Sequence, residues 1–417
     1  MQLNIKKFLA DQIQMHHDAI LQWQSQCIQK APPPFYCSID LRDSGHKIVP
    51  VDCNLYPAGF NNLCPEDLRT ASDLFQLQIP EGSKVLILPE THTQNKYYIE
   101  NIYYLSQMIQ NAGYEVQVGW LAESKDPVLL EAPSGKKVTA YPVQIREGVL
   151  SALNFLPDFI LLNHDFSAGY PSFLETIKQP ILPSYLLGWH RRKKSEHFQY
   201  YNQLAKEFSS IIQVDPWYLQ IDTEEVAPVN FNEQEGTEAV AQVVEQMLAR
   251  TRCAYEHRKI EGKPFVFIKH NAGTYGRGIM VAHSSDELRS MNRRTKTKMS
   301  MGKNHVPIRS VVVQEGVPTA TLVDRLAAEP VIYLLGAELM GGFLRTHPQR
   351  GVEENLNSQG MVFKKLCMSD LRFPQTEHLP DDFYQFEKQP ILEIVYGAIA
   401  KLSAFATGLE LANHSFL

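Results

Sequence analysis

Two short, nearly continuous apolar runs, KVLIL at 84–88 and DFILLN at 158–163, read as strands buried on both faces. After the first, the spacing turns helical from Lys96 to Gly113, and YEVQVGW at 114–120 reads as a further strand. Strand, helix and strand in that order predict a βαβ unit and a parallel sheet. A polar, hairpin-like insertion at 124–148 precedes the run at 158–163 and its loop, HDFSAGYP. Upstream, Ile5, Phe8, Leu9, Ile13, Ile20 and Leu21 recur every three to four positions, which predicts one helix over 1–30, ended by APPP at 31–34. Two β-like runs, Cys37–Leu41 and Lys47–Asp52, are joined by Asp43-Ser44-Gly45, a hairpin turn. Residues 35–200 therefore read as one α/β domain behind an N-terminal helix at 1–34.

From residue 201 to 417 the pattern differs. PFVFIKHNAGTYGRGIMVA (264–282), SVVVQEGV (310–317) and EPVIYLLGAELMGGFLR (329–345) predict antiparallel strands with glycine turns, and a last helix spans about 390–407. The expected fold is thus α/β followed by α+β. RSMNRRTKTKMSMGKNH (289–305) is basic and poor in apolar residues, which predicts a mobile surface loop or lid.

Composition narrows the function. A chain of 417 residues exceeds one ordinary core, so two or three domains are expected. With 44% hydrophobic and 21% charged residues it is globular, and its net charge of −6 supplies no general field for nucleic acid or an acidic membrane. No stretch of about 18 apolar residues suggests a membrane span. The run WHRRKKSEHF (189–198) holds four consecutive basic residues without interleaved aromatics, which fits a solvated helix start better than a nucleic-acid surface. Six cysteines without a CxxC pair predict reduced thiols, no structural zinc and a cytoplasmic protein.

Candidate chemistry clusters in the second half. A strand delivers Lys269, and Gly273, Gly276 and Gly278 follow before the next strand. Such a loop, with Thr274 and Tyr275 inside it, lays backbone N–H groups over phosphates; read blandly, its glycines only permit a hairpin. VVV at 311–313 runs into Gln314, Glu315, Gly316 and Val317, where backbone groups suit an adenine edge, or the strand merely leaves its sheet. Arg345 ends GGFLR and can clamp a phosphoryl group. Asn355 and Asn357, beside a glycine turn, offer oxygen ligands for Mg²⁺ or contacts for a phosphate.

The ordered series of strand-Lys-glycine loop, VVVQEGV, GGFLR and NLNSQG resembles the ATP-grasp superfamily and its glutathione synthetase-like ligases. More narrowly, SIDLRDSGHKIVPVDCNLYPAGFNNL and IKHNAGTYGRGI look like the proteobacterial ATP-grasp-like glutamate–cysteine ligase family. The resemblance runs from about residue 35 to the last helix. It implies a parallel-sheet domain preceding an ATP-grasp module of antiparallel sheets, and ATP and Mg²⁺ as cofactors. It also implies that glutamate is phosphorylated on its γ-carboxylate and that the cysteine amine displaces the phosphate. Lys269 would hold ATP phosphates under the Gly273–Gly278 loop, with Lys194 or Lys193 as a second contact. Gln314, Glu315 and Val317 would line the adenine, and Arg345 would stabilise the acyl-phosphate, with Asn357 beside it.

One departure stands out. Related ligases end with an acidic strand and a Glu-x-Asn, whereas this chain ends GLELANHSFL. Glu410 and Asn413 have another spacing, and Glu353 with Asn355 has the spacing but precedes the last helix. Glu353, Asn355 and Asn357 are therefore the expected metal ligands. For the amino acids, Arg42, Asp52, Asn54, Asn61 and Asn62 form one polar cluster. Glu90, His92 and Asn95 form a second, and Asn163, His164 and Asp165 a third; the last two follow parallel strands, where open α/β sheets bind ligands. Each residue alone suits a turn or a helix cap better, and it is the three clusters together that favour substrate. Glutathione synthetase, another ATP-grasp ligase, or a nucleotide-binding protein without catalysis remain alternatives, and homo-oligomerisation is left open.

Overall fold

The computed structural model describes residues 4–90, 97–121, 125–273, 278–302, 307–366 and 391–414. The chain opens with α1 (Ile5–Met15) and α2 (His17–Lys30), then the hairpin β1 (Tyr36–Asp43) and β2 (Ile48–Asn54). Next come α3 (Pro65–Gln78), β3 (Lys84–Pro89), α4 (Tyr98–Asn111) and β4 (Glu115–Trp120). Strands β5 (Val128–Glu131), β6 (Lys137–Arg146), β7 (Val149–Ala152), β8 (Phe159–Asn163) and β9 (Ile181–Leu182) follow. Helix α5 (Lys194–Ile211), β10 (Thr223–Val226), α6 (Thr237–Arg258), β11 (Val266–His270) and β12 (Ile279–Ala282) lead to α7 (Asp286–Arg289) and α8 (Arg293–Ser300). The chain then runs through β13 (Val311–Glu315), β14 (Leu322–Val323), β15 (Leu326–Leu335), β16 (Glu338–Thr346) and β17 (Val362–Leu366) to α9 (Ile391–His414).

Three sheets result. Around β3, the strands β4, β8, β9 and β6 run parallel, with β5 and β7 added antiparallel; the order is β5-β6-β4-β3-β8-β9. Its central strands are apolar because helices and the neighbouring sheet cover both faces, and all five residues of β8 are buried. A second sheet, β10-β13-β11-β12, is antiparallel. The third is antiparallel in the order β17-β16-β15-β1-β2. The N-terminal hairpin therefore hydrogen-bonds to β15, far along the chain, with Asp40 opposite Val331.

Strand alternation divides this third sheet chemically. Cys37, Ile39 and Leu41 of β1 join Ile332, Leu334 and Leu344 in a core shared with α1, α5 and α9. Ser38, Asp40 and Arg42 point the other way, and all are buried. By register, Asp52 sits opposite Asp40, Asn54 opposite Ser38, and Glu329 opposite Arg345. One face of the sheet is thus oil against helices; the other carries charge into the molecule.

Three expectations change. The helix over 1–30 breaks at His16, whose backbone (φ −107°, ψ 22°) leaves the helical region while its ring donates to the Gln12 carbonyl at 2.9 Å. The basic segment after Arg289 is not an open loop: Asn292 caps α8 by accepting from Thr295 N at 2.9 Å, and Met299 is buried beneath it. The thiols are not all reduced either: Cys64 is disulfide-bonded, while Cys27, Cys37, Cys53 and Cys253 are free. Helix α9 is long and apolar enough to cross a membrane by composition, but 78% of its most apolar window is buried within the protein.

Candidate active site

The charged face of the third sheet meets the β10-β13-β11-β12 sheet across a narrow cleft. Its walls include Asp40, Arg42, Asp52 and Glu329 on one side and Phe267, Lys269, His270 and Gly273 on the other, with Lys194, Asn355 and Asn357 at the margins. The free space is only about 40 Å³, room for a few water molecules. Side chains fill the rest by pairing with one another. Lys194 Nζ is hydrogen-bonded to Asp52 and lies 4.2 Å from the Trp189 ring centroid. Lys269 Nζ donates to Gln314 Oε1 at 2.6 Å and to the Val51 carbonyl at 3.0 Å. Arg345 Nη1 bridges Asp40 (2.6 Å) and Glu329 (2.7 Å), and Arg42 Nε reaches the other oxygen of Glu329 at 2.8 Å.

Burial and pairing compete in the protonation of these groups. Burial lowers Lys269 from 10.5 to about 8, with Asp52 opposing the fall. Burial also works against the charge on Asp52, but Lys194 and Lys269 outweigh it and hold the carboxyl below its usual range. Asp40 goes the other way: burial raises it, and Glu329 nearby adds to the rise that Arg345 resists. For Glu329, burial is overcome by Arg42 and Arg345, and the carboxyl stays low.

Beyond Arg345 and Asn357 the cleft opens into a cavity of about 670 Å³, within the range of small-molecule sites. Asn54, Asn61, Asn62 and Asn101 line its polar side, with Glu100 and Asp165 as carboxylates; Tyr56, Trp189, Tyr333 and Phe343 supply apolar wall. Asn101 Oδ1 accepts from Gly59 N (2.8 Å) and Phe60 N (3.1 Å), which fixes the turn after β2. Gly59 has φ +111°, and a side chain there would press on the Tyr333 hydroxyl.

The structure brings many of the expected residues together. Lys269, Lys194, Gly273, Arg42, Asp52, Asn355 and Asn357 line the cleft, while Asn54, Asn61, Arg345 and again Asn357 line the cavity. Asn355 and Asn357 also hold their own turn, Asn357 N donating to Asn355 Oδ1 at 3.0 Å. Gly278 has φ +64°, a left-handed conformation strained for any residue with a side chain, so this end of the loop favours glycine. Thr274, Tyr275, Gly276, His92 and Asn95 lie outside the described residues.

Others are not brought to the cleft. Glu353 is 41% exposed and faces His283 at 4.0 Å. The Glu315 carboxylate is buried against Lys47 Nζ (2.6 and 2.8 Å) and the Val317 side chain packs in the core, so only the backbone of these two residues could face an adenine. Glu90 is buried, its N–H donating to the Tyr98 hydroxyl at 3.0 Å. Asn163 is scaffold beneath the cavity, donating to the Pro57 carbonyl at 2.9 Å and accepting from Tyr98 at 2.9 Å. Sequence reasoning passed over Asp40, Glu329, Asn101 and Trp189. The available signal was Glu329, an acid inside the otherwise apolar β15; Asp40 shares β1 with Ser38, Arg42 and Asp43 and stood out less.

Cations and carboxylates alternating in a narrow cleft that opens into a polar cavity suit phosphoryl transfer to a small carboxylate. The sequence profile for glutamate-cysteine ligase matches residues 10–411. The chain belongs to the glutamate-cysteine ligase family. These are ATP-dependent ligases that make γ-glutamylcysteine for glutathione. The crystal structure of a provisionally assigned gamma-glutamylcysteine synthetase from Methylobacillus flagellatus KT is similar over 99% of this chain and 97% of that one, with 34% identity and a TM-score of 0.85. D-alanyl-alanine synthetase A from Vibrio cholerae O1 biovar eltor is a weak likeness at 12% identity and TM-score 0.35, covering 78% of this ligase and 82% of that chain. A glutathione synthetase-like effector from Globodera pallida is comparable, at 10% identity and TM-score 0.36, covering 81% and 77%. No curated protein matches the chain significantly.

Proposed function

We propose that this ligase forms γ-glutamyl phosphate where the cleft meets the cavity, with nucleotide between the two antiparallel sheets and both amino acids in the cavity. The observation that carries the reading is Arg345, whose guanidinium sits at that junction with Nη1 engaged by two carboxylates and its buried Nε–H lacking a protein acceptor. A buried donor without an acceptor is costly, and a carboxylate or phosphoryl oxygen of the substrate satisfies it. Gln314 Nε2, also buried and without an acceptor, suits a ring nitrogen of the base in the same way.

A γ-carboxylate oxygen of glutamate attacks the terminal phosphorus of ATP and ADP leaves. The cysteine amine then attacks the acyl carbon, and phosphate departs with one former carboxylate oxygen. Lys269 and Lys194 exchange Gln314 and Asp52 for phosphate oxygens, which also vacates the cleft. The narrow cleft limits the water that can reach the acyl-phosphate from the nucleotide side. Among the described residues no three Asp, Glu, His or Cys side chains form a closed metal cluster. Asp40, Asp52 and Glu329 nevertheless present hard oxygen donors on one face, and one or two of them, completed by nucleotide phosphates, would hold a Mg²⁺ ion. Asp40 and Asp52 on neighbouring strands, with Asn54 two residues on, supply the donor types that Glu353 does not bring here. These residues would hold the ion, which would supply neutralisation of charge on the phosphate oxygens. We place the reaction in the cytoplasm, where ATP is available.

The reading is tested by ADP release with glutamate and a panel of amines. Glutamate with cysteine is expected to give turnover. Turnover only with γ-glutamylcysteine and glycine would indicate a glutathione synthetase, and ATP binding without turnover a non-catalytic protein.

A further inference from the structure

The sequence WHRRKK, too short for a nucleic-acid surface, forms a strap across the back and front of β2. Arg192 enters from behind. Its Nη1 donates at 2.5 Å to the carbonyl of Cys53, the residue between Asp52 and Asn54. Nε and Nη2 grip both oxygens of Glu410 on α9 at 2.7 and 3.0 Å, and Nη2 also reaches Thr407 Oγ1 at 3.2 Å. His197 lies against the same carboxylate and donates or accepts at Ser403 Oγ, 3.0 Å away. Two residues on, Lys194 crosses the front of the strand to Asp52, and both cations share the Trp189 ring, at 5.2 and 4.2 Å. The strap also holds the end of β11, since Lys194 N donates to the Asn271 carbonyl (2.8 Å) and Ser195 N to Asn271 Oδ1 (2.9 Å).

Arg192 and Glu410 are each only 1% exposed. Their charges do nothing for solubility, and a buried ion pair is often no more stabilising than apolar residues of the same volume. What this pair does that apolar residues cannot is fix a backbone carbonyl by a directional, charge-assisted hydrogen bond. We infer that Arg192, clamped by Glu410, is a positioning residue that sets β2 so that Asp52 faces the nucleotide phosphates and Asn54 the amino-acid cavity. Helix α9 thereby completes the site without touching substrate: its acid, Glu410, acts on the strand that carries the oxygen donors. This inference rests on the proposed role of Asp52.

The test uses full-length protein and three variants: Arg192→Lys, the double variant Arg192→Met/Glu410→Met, and Asp52→Asn as control. Arg192→Lys retains a charge for Glu410 but cannot also hold the Cys53 carbonyl. The double variant removes both charges together. Affinity for a non-hydrolysable ATP analogue is measured calorimetrically with and without Mg²⁺, alongside the melting temperature. The expected result is that both strap variants fold and lose at least 10-fold in Mg²⁺-dependent affinity, with metal-free binding unchanged. Normal Mg²⁺-dependent affinity in a folded strap variant would overturn the inference, as would an equal loss with and without Mg²⁺. Failure of both strap variants to fold would also count against it, because the network would then be a folding element. If Asp52→Asn itself leaves the Mg²⁺ dependence intact, the reading of the cleft fails instead.

Discussion

Asp52 lies directly opposite Asp40 on antiparallel neighbouring strands, and each carboxylate is held by its own cation, Lys194 and Arg345. Like charges facing across a sheet are unfavourable, so this pair persists only because cations are placed around it. The same cations are the groups an ATP phosphate would recruit. The site is therefore neutralised by its own side chains.

Arg345 is where this self-neutralisation meets the chemistry. Lysine at this position can keep a charge near Asp40 or Glu329 but cannot span both and still present a second donor to the cavity. Arg345→Lys is expected to bind ATP nearly normally and to slow the chemical step roughly 100-fold, about 2.7 kcal/mol. Nucleotide affinity and single-turnover ADP formation measured on one preparation separate the two. Lost affinity with an intact chemical step would make Arg345 a ground-state contact.

Lys269 gives the site a pH dependence. Burial brings it to about 8, so it carries its charge at pH 7 and loses it as pH rises through 8. ATP affinity should fall over that interval and should not do so in Lys269→Met, which should also bind ATP about 1.5–3 kcal/mol more weakly at pH 7. Because the folded value is depressed from 10.5, its contribution to stability is present above 10.5 and lost as pH falls through about 8. Calorimetric titrations from pH 6.5 to 9.5 check the sign.

Lys47 and Glu315 test structure apart from catalysis. Their buried pair, 2.6 Å at its shorter contact, sits beneath the Trp217 ring and ties the hairpin turn to β13. Lys47→Met leaves the Glu315 carboxylate without its partner and should cost about 3–5 kcal/mol in urea unfolding. Lys47→Met/Glu315→Met should recover most of that loss. No recovery would mean that the ion pair itself is stabilising.

The sequence was most legible where one signal decided the matter. KVLIL and FILLN are continuous apolar runs, and both became parallel strands buried on both faces. Asp43-Ser44-Gly45 marked a turn, and β1 and β2 pair across it. What could not be read was which distant strand each hairpin joins. Asp40 is 305 residues from Arg345, and Lys47 is 268 from Glu315, so no local pattern announces either contact. An acid in an apolar strand looks like a solvent-facing residue until its neighbouring strand is known. The adenine reading of Glu315 and Val317 concerned their backbone; what no local pattern announced is that the Glu315 side chain turns to Lys47 and the Val317 side chain to the core. Glu353 had the right spacing to Asn355, but spacing on a surface turn does not turn a carboxylate inward.

The central claim is that glutamate is activated as an acyl-phosphate at Arg345. It predicts that one oxygen of the γ-carboxylate ends up in inorganic phosphate. Glutamate labelled with ¹⁸O at that carboxylate is incubated with ATP, cysteine and the enzyme, and the phosphate is analysed by mass spectrometry. One ¹⁸O atom per phosphate released is expected. Unlabelled phosphate accompanying γ-glutamylcysteine formation would contradict the account.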